Sequence, residues 1–338
     1  MSSARSTLYK SVFHLAGVDM RSEKKPTILH RIEYAVLRTV IFFAGLLPVR
    51  CALALGALLG WAAWRIFGIR KKIVLINLKQ AFPDRSSMEL DLIGLQSYMN
   101  SGRFMMEFAR QDRMGEDYIS KHVKIEDTEA LENLKTIDGA ILLTGHFGNW
   151  ELFGIVNSYI LGDMSFLVGR QSNSLVDAYI NRMRSIHGIE LYNRRSAVRG
   201  VLKSMKRGGY VCWLSDQDAG TSGVIVDFFG YPASTPRGAA AFAVKLKVPV
   251  VPAVLVREGK GPDHRLVIGE PVYPDNNLPQ EEAERDITQK YTRQLESMII
   301  RKPELYWWAH RRWKTTGMYG SRKTEKPEMN LEGSDNEE

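Results

Sequence analysis

Only two cysteines, Cys51 and Cys212, occur in 338 residues. That excludes a disulfide framework, and the pair lacks metal-ligand spacing. Each lies in an apolar run, so both are expected to be buried thiols. Clean, long apolar runs are missing too. The most apolar region, AVLRTVIFFAGLLPVRCALALGALLGWAAWRIFG at residues 35–68, is interrupted by Arg38, Pro48 and Arg50. Neither half reaches the roughly 20 apolar residues of a spanning helix. A secretory signal peptide is not expected, because polar residues such as RSEKKPT precede the first apolar stretch. The bulk of the chain is therefore expected in a reducing, cytoplasmic compartment. No internal repeat is present. Net negative charge is also missing: the balance is +8, which favours anionic partners such as phosphate-bearing lipid, a membrane surface, nucleic acid or an acidic carrier protein.

The apolar region has basic flanks on both sides, with Lys24, Lys25 and Arg31 before it and Arg65, Arg70, Lys71 and Lys72 after it. Excess positive charge marks the cytoplasmic side of a membrane segment. Two basic flanks on one face imply a broken hairpin or helices lying in the membrane plane. A single tilted span and a buried helical pair of a soluble fold are the competing readings. A helix is expected to end near Phe82, before Pro83, and another to cover residues 86–112.

From residue 138 short apolar runs alternate with helical spacing. GAILLT, MSFLVG, IELYN, YVCWLS, VPVVPAVLV and RLVIGEPV are expected strands. Between them GNWELFGIVNSYI, NSLVDAYINRMRSIHG, SAVRGVLKSMKR and TPRGAAAFAVKLK have helical spacing, the last opened by Thr235 as a cap and Pro236 at its first position. Residues 279–305 form a charged helix. This alternation predicts an α/β domain with a largely parallel central sheet flanked by helices. The expected divisions are a polar arm at 1–30, a hydrophobic helical anchor at 31–72, the main domain at 73–319 and a disordered acidic tail at 320–338.

The pattern H-x-x-x-x-[D/E] occurs three times, at His14/Asp19, His122/Asp127 and His146/Glu151. Composition alone predicts about one such match, so spacing is weak evidence and context must discriminate. His14 lies in the polar arm, and His122 lies in KHVKIED, whose charges face water. His146 follows a buried strand directly, at the carboxyl end where open α/β sheets bind ligands. On a regular helix the side chains of His146 and Glu151 would point about 140° apart. They meet only if His146 sits in the turn before the helix and Glu151 in its first turns. Glu151 would then accept from one imidazole nitrogen, and the other would take a proton from a hydroxyl. Backbone N–H groups at the helix start are expected to hold an oxyanion. No serine or cysteine lies between 145 and 157, so direct transfer from a thioester to a hydroxyl fits better than an acyl-enzyme. No metal or nicotinamide site is visible.

GHFGNWE resembles the H-x-x-x-x-[D/E] block of the bacterial lipid A biosynthesis acyltransferases, the lauroyl and myristoyl transferases of the glycerolipid acyltransferase-like superfamily. NLKQAFPD (77–84), VGRQSNSLVDAYINRMRSIHG (168–188), LSDQDAGTSGVIVDFFGYPASTPRGAAAFA (214–243) and HRRWKT (310–315) resemble further family blocks in the same order. The resemblance implies acyl transfer from acyl carrier protein to a hydroxyl of a lipid A precursor at the cytoplasmic face of the inner membrane. A different acceptor lipid (a glycolipid or lysophospholipid) and thioester hydrolysis are the alternatives. His146 and Glu151 are the expected catalytic pair. Arg170, past strand MSFLVG, suits a phosphate, as the superfamily's phosphate-binding position implies. Asp216 and Gln217 are expected to hold the acceptor or orient Arg170, and Arg237, with Phe228, Phe229 and Thr235, to line an acyl or sugar pocket. Arg184 is placed equally well by a family position or by helix-surface charge. YWWAHRRWK at 306–314 is expected to be an interfacial aromatic and basic patch rather than a nucleic-acid surface; it also suits the acidic face of an acyl carrier.

Overall fold

The computed structural model describes residues 26–193 and 196–319. His14, most of the expected N-terminal arm and the acidic tail lie outside the described residues.

Among the described residues four helices come first: α1 (Ile28–Leu46), α2 (Val49–Arg65), α3 (Lys71–Ala81) and α4 (Ser87–Phe108). Thr27 caps α1 through the His30 N–H, so that helix starts a little before the expected boundary at 31. Pro48 separates α1 from α2. Helix α4 opens with a capping box, in which Ser86 accepts from the Glu89 N–H and Glu89 accepts from the Ser86 N–H at 2.9 Å. Among the described residues no helix is long and apolar enough to cross a membrane. The inner face of α2 instead packs on α4 at glycines: a Cβ on Gly56 would sit 2.3 Å from the Gly102 carbonyl oxygen, and one on Gly60 2.1 Å from that of Tyr98. Small residues at this spacing let two helix backbones approach closely. The outer faces of α1 and α2 stay uncovered, with Phe42, Phe43, Leu46, Leu58 and Leu59 all more than half exposed. Cys51 lies on that exposed surface rather than buried as expected; Cys212 is buried.

The α/β part follows as α5 (Glu116–His122), β1 (Val123–Ile125), α6 (Thr128–Lys135), β2 (Ala140–Thr144), α7 (Trp150–Leu161), β3 (Met164–Val168), α8 (Ser174–Ser185), β4 (Glu190–Asn193), α9 (Ala197–Met205) and β5 (Tyr210–Leu214). Then come β6 (Val224–Phe228), β7 (Tyr231–Thr235), α10 (Gly238–Leu246), β8 (Val250–Arg257), β9 (His264–Ile268) and α11 (Gln280–Arg301). The main sheet has seven strands in the order β1-β9-β8-β2-β5-β3-β4, and β8, β2, β5, β3 and β4 run parallel. Among the described strands of this sheet, only the β8–β9 pairing is antiparallel. Central strand β2 is buried at every position, as a continuous apolar run in a parallel sheet requires.

Two local expectations differ. Residues 224–235, for which no element was expected, form an antiparallel hairpin, β6–β7. Thr235 ends that hairpin instead of capping α10, whose N-cap is Arg237. The YWWAHRRWK segment is likewise not an interfacial patch: Tyr306, Trp308, Arg312 and Trp313 are buried in the core that joins α3, α4 and α11, while Arg311 and Lys314 are exposed. The reason is the hairpin itself. Arg312 donates to the Ser234 carbonyl and to Thr235 Oγ1, both at 2.5 Å, so its charge is spent inside the fold.

Candidate active site

The loop from Gly145 to Asn149 leaves the carboxyl end of β2 and turns into α7. It is pinned from behind: the Trp307 N–H donates to the His146 carbonyl at 2.9 Å, and the Gly148 N–H to that of Leu305 at 2.9 Å. Gly148 has φ +59°, and a Cβ there would lie 2.0 Å from the Leu255 carbonyl oxygen of β8. Both the left-handed backbone and the close approach demand glycine. Asn149 caps α7 by accepting from the Leu152 N–H at 2.9 Å. Its amide donates to the fully buried Glu107 carboxylate of α4 at 2.7 Å, which also takes a bidentate ion pair from Arg257 at the end of β8. Both ends of the loop are thus fixed.

His146 sits in the turn before the helix, as expected, but its carboxylate partner is not Glu151. Asp216, just past β5, accepts from His146 Nδ1 at 2.8 Å with one oxygen and from the His146 backbone N–H at 2.7 Å with the other. This is a correction of two expectations at once. Asp216 is occupied by the imidazole rather than offered to an acceptor, and no hydrogen bond links Glu151 to His146. The reason is topological: β5 is the parallel neighbour of β2, with Thr144 beside Leu214, so their carboxyl ends bring the following residues together. Glu151, the second residue of α7, points toward α8, where Arg184 clamps it through Nε at 2.9 Å and Nη2 at 2.6 Å.

The electrostatics favour a charged, oriented imidazole. Burial alone would lower the pKa of His146, but Asp216, by charge and hydrogen bond, and Glu151, by charge, carry it above its ordinary 6.5. Burial would raise Asp216, but His146 and then the charge of Arg312 hold its carboxyl below the usual range. With Nδ1–H given to Asp216, neutral His146 keeps its lone pair on Nε2. The Gln217 amide nitrogen lies 3.2 Å from that atom, and the Trp150 ring lies 4.9 Å from the imidazole, stacked on Phe104 at 4.0 Å. The His146 side chain is 22% exposed while that of Asp216 is 2% exposed, so solvent reaches the imidazole but not the carboxylate that holds it.

Arg170 is exposed just past β3, in the loop that leads to α8. Buried Asn173 in that loop donates to the His30 carbonyl and to Glu33 of α1, each at 2.8 Å, so the apolar N-terminal helices border this side of the site. Arg237, expected to line a pocket, is held by carboxylates of α11. It forms an ion pair with buried Glu284 of α11, and Glu281 lies 3.7 Å away. Phe228 is core. Asp218 holds the 315 turn through Thr315, at 2.8 Å to its hydroxyl. Of the other two copies of the histidine pattern, His122 meets Asp263 at 2.8 Å while Asp127 caps α6. Among the described residues no cluster of three or more His, Cys, Asp or Glu is arranged to hold a metal. The Glu107–Asn149–Arg257 network escaped sequence reasoning; only Asn149, polar at a helix start, carried a local signal.

The family model described as bacterial lipid A biosynthesis acyltransferase matches residues 21–315. The chain belongs to that family. This acyltransferase is 26% identical over 279 residues to the lipid A biosynthesis lauroyltransferase of Escherichia coli (strain K12), covering 82% of this chain and 89% of that one. It is 26% identical over 255 residues to the lipid A biosynthesis myristoyltransferase of the same strain, covering 75% and 77%. A shorter match, 29% over 128 residues, covers 36% of this chain and 40% of the phosphatidylinositol mannoside acyltransferase of Mycobacterium tuberculosis (strain CDC 1551 / Oshkosh).

Proposed function

We propose that this acyltransferase moves a fatty acyl chain from an acyl-carrier-protein thioester to a hydroxyl of a lipid A precursor, at the cytoplasmic face of the inner membrane. His146 is the general base and Asp216 its orienting partner. The observation that carries this reading is the double hold of Asp216 on His146, at Nδ1 and at the backbone N–H, which leaves the Nε2 lone pair uncommitted on a side chain that solvent reaches. The acceptor hydroxyl gives its proton to Nε2; the Gln217 amide nitrogen, 3.2 Å from Nε2 and 3.5 Å from Nδ1, lies over the ring and leaves the in-plane lone pair to the hydroxyl. Its oxygen forms the new bond to the thioester carbonyl carbon. The N–H groups of Trp150 and Glu151, which open α7 and have no backbone acceptor among the described residues, are the donors we assign to the resulting oxyanion. Collapse breaks the carbon–sulfur bond, and the imidazolium returns the proton to the carrier thiolate. Buried Cys212, its thiol pushed up by burial and by Glu151, has no part as nucleophile.

Membrane association rests on the uncovered faces of α1 and α2. Their exposed leucines and phenylalanines share a surface with exposed Arg31, Arg50, Arg65 and Lys72. An apolar face rimmed by cations suits in-plane seating on an anionic membrane rather than a span. The contact of α1 with the Arg170–Asn173 loop opens the site toward that same surface. The shorter mycobacterial match favours one second reading, an acceptor that is another membrane glycolipid.

The test is to incubate detergent-purified protein with acyl-carrier thioesters and a lipid A precursor, with His146→Ala in parallel, and to read product mass. A gain of one acyl chain, reduced in the variant by on the order of 10²–10⁴-fold, is expected. Gain only on a different glycolipid moves the acceptor, and release of free fatty acid at a matching rate makes the protein a thioesterase. Equal transfer by the variant removes His146 from the chemistry.

A further inference from the structure

The carboxylate of the H-x-x-x-x-E motif has an occupant that a base-orienting role leaves unexplained. Both oxygens of Glu151 are engaged by Arg184 in a bidentate pair. The pair is nearly closed to water, with side-chain exposures of 10% for Glu151 and 16% for Arg184. Burying two charges is costly, and hydrophobic replacement is often as stable, so such a pair is weak evidence for stability alone. Its position is more informative. Glu151 is the second residue of α7, the helix that follows the His146 turn, and the Trp150 ring next to it lies 4.9 Å from the imidazole, so the pair stands beside the His146 loop. Arg184 comes from the last turn of α8, the helix that begins just after the Arg170 loop. Burial would lower the pKa of Arg184, and Glu151 more than offsets it, so the cation is held permanently charged. Its Nε and Nη2 are committed to Glu151, whereas Nη1 has only a 3.4 Å contact with Asn181. A guanidinium gripped along one edge presents its other edge in a fixed orientation, the arrangement suited to an anionic oxygen.

We propose that Glu151 is a positioning residue that acts through Arg184, aiming its free edge at a phosphate of the substrate, and that it is not the partner of the His146 imidazole. The inference rests on the acyl-transfer reading above. Phosphate can come from two sources, the acceptor lipid or the phosphopantetheine arm of the donor, and separate KM values for the two distinguish them. It assigns divided labour to the two carboxylates of the site: Asp216 sets the base, and Glu151 sets the binding of charge.

The experiment measures kcat, both KM values and the pH profile of the full-length protein in detergent, comparing wild type with Glu151→Gln, Arg184→Gln and the double variant. Wild-type transfer checks the acyl-transfer reading independently of this proposal. The expected result is that each single variant raises KM for one substrate, the same one in both, by about ten-fold or more. The double variant should be no worse than the poorer single one, as residues acting as a unit are not additive. If a lone buried charge unfolds a single variant, the double variant, which leaves neither charge behind, carries the test on the same KM. The proposal is overturned if Glu151→Gln loses kcat at unchanged KM, if the two single effects multiply, or if the double variant folds and keeps wild-type KM for both substrates.

Discussion

Around His146 the chain is closed: Thr144, Phe147 and Asn149 are at most 1% exposed. On α1 and α2 the opposite holds, with Phe42 62% and Leu58 57% exposed. The first region buries polar groups, and nearly all are answered: Asn149 by Glu107 and the Leu152 N–H, Asp216 by His146, Glu151 by Arg184. The second leaves apolar groups in contact with solvent and compensates only on its inner face, where glycines let α2 approach α4. Buried polar groups without partners cost free energy, and exposed apolar patches mark contact surfaces. Each region departs from the usual inside–outside rule in its own way, and each departure points to function, one to chemistry and the other to a surface.

The largest effect that would break this contrast is at Asp216. Asp216→Asn should keep the loop but lower kcat by on the order of 10²–10⁴-fold, because the imidazole loses its charge partner. The pH profile supplies the sign. In the proposed mechanism His146 must be neutral to take a proton, and its folded pKa is raised above 6.5, so wild-type kcat/KM should rise only through a pH above that value. In the variant the limb should move to lower pH. The His146–Asp216 interaction stabilises the fold fully below the unfolded histidine value and loses that contribution as pH rises through the raised folded value. An unmoved limb would mean that another group is being titrated. Next comes the buried network. Glu107→Gln leaves the Arg257 cation buried without its counter-charge and should cost about 3–5 kcal/mol of stability, measured by denaturant unfolding. Glu107→Gln/Arg257→Met should recover most of it. If the single variant is neutral, the Glu107–Arg257 pair adds nothing to the hold that Asn149 capping and the backbone bonds to Trp307 and Leu305 already give the loop.

Much of the placement of both regions was legible in the chain. The strand–turn–helix order, the position of His146 at a strand end and the basic-flanked apolar segment all follow from periodicity and turn residues. The partners were not. Asp216 reaches His146 only because β5 lies beside β2, and strand order is absent from local pattern. Glu151 has the right spacing for His146, but α8 brings Arg184 to it first. The β6–β7 hairpin was hidden by Pro232, a residue that counts against a strand except at an edge. HRRWK looked interfacial because composition gives the charges but not their burial, and Arg312 is spent on Ser234 and Thr235. Cys51 was misplaced because an apolar run does not reveal which helix face meets α4.

The inner face of the N-terminal pair offers the third test. Gly60→Leu forces a side chain into the Tyr98 carbonyl, 2.1 Å from the ideal Cβ, and should cost about 1–3 kcal/mol or more by overpacking. A Tm equal to wild type would show that α2 sits looser on α4 than this geometry implies.

The smallest effect, and the sharpest for the outer face, is predicted for Leu58→Asn/Leu59→Asn. Both side chains are more than half exposed, so thermal stability should be unchanged while apolar area available to a bilayer is removed. At about 25 cal/mol per Å², losing two half-buried leucine contacts should weaken binding to anionic vesicles by roughly ten-fold or more. Co-sedimentation with phosphatidylglycerol-containing vesicles measures it, and kcat on detergent-dispersed substrate should be unchanged because neither leucine touches the His146 loop. Lost stability with intact vesicle binding would invert the comparison: the outer face would then be part of the protein's packing, and the membrane contact would have to lie elsewhere.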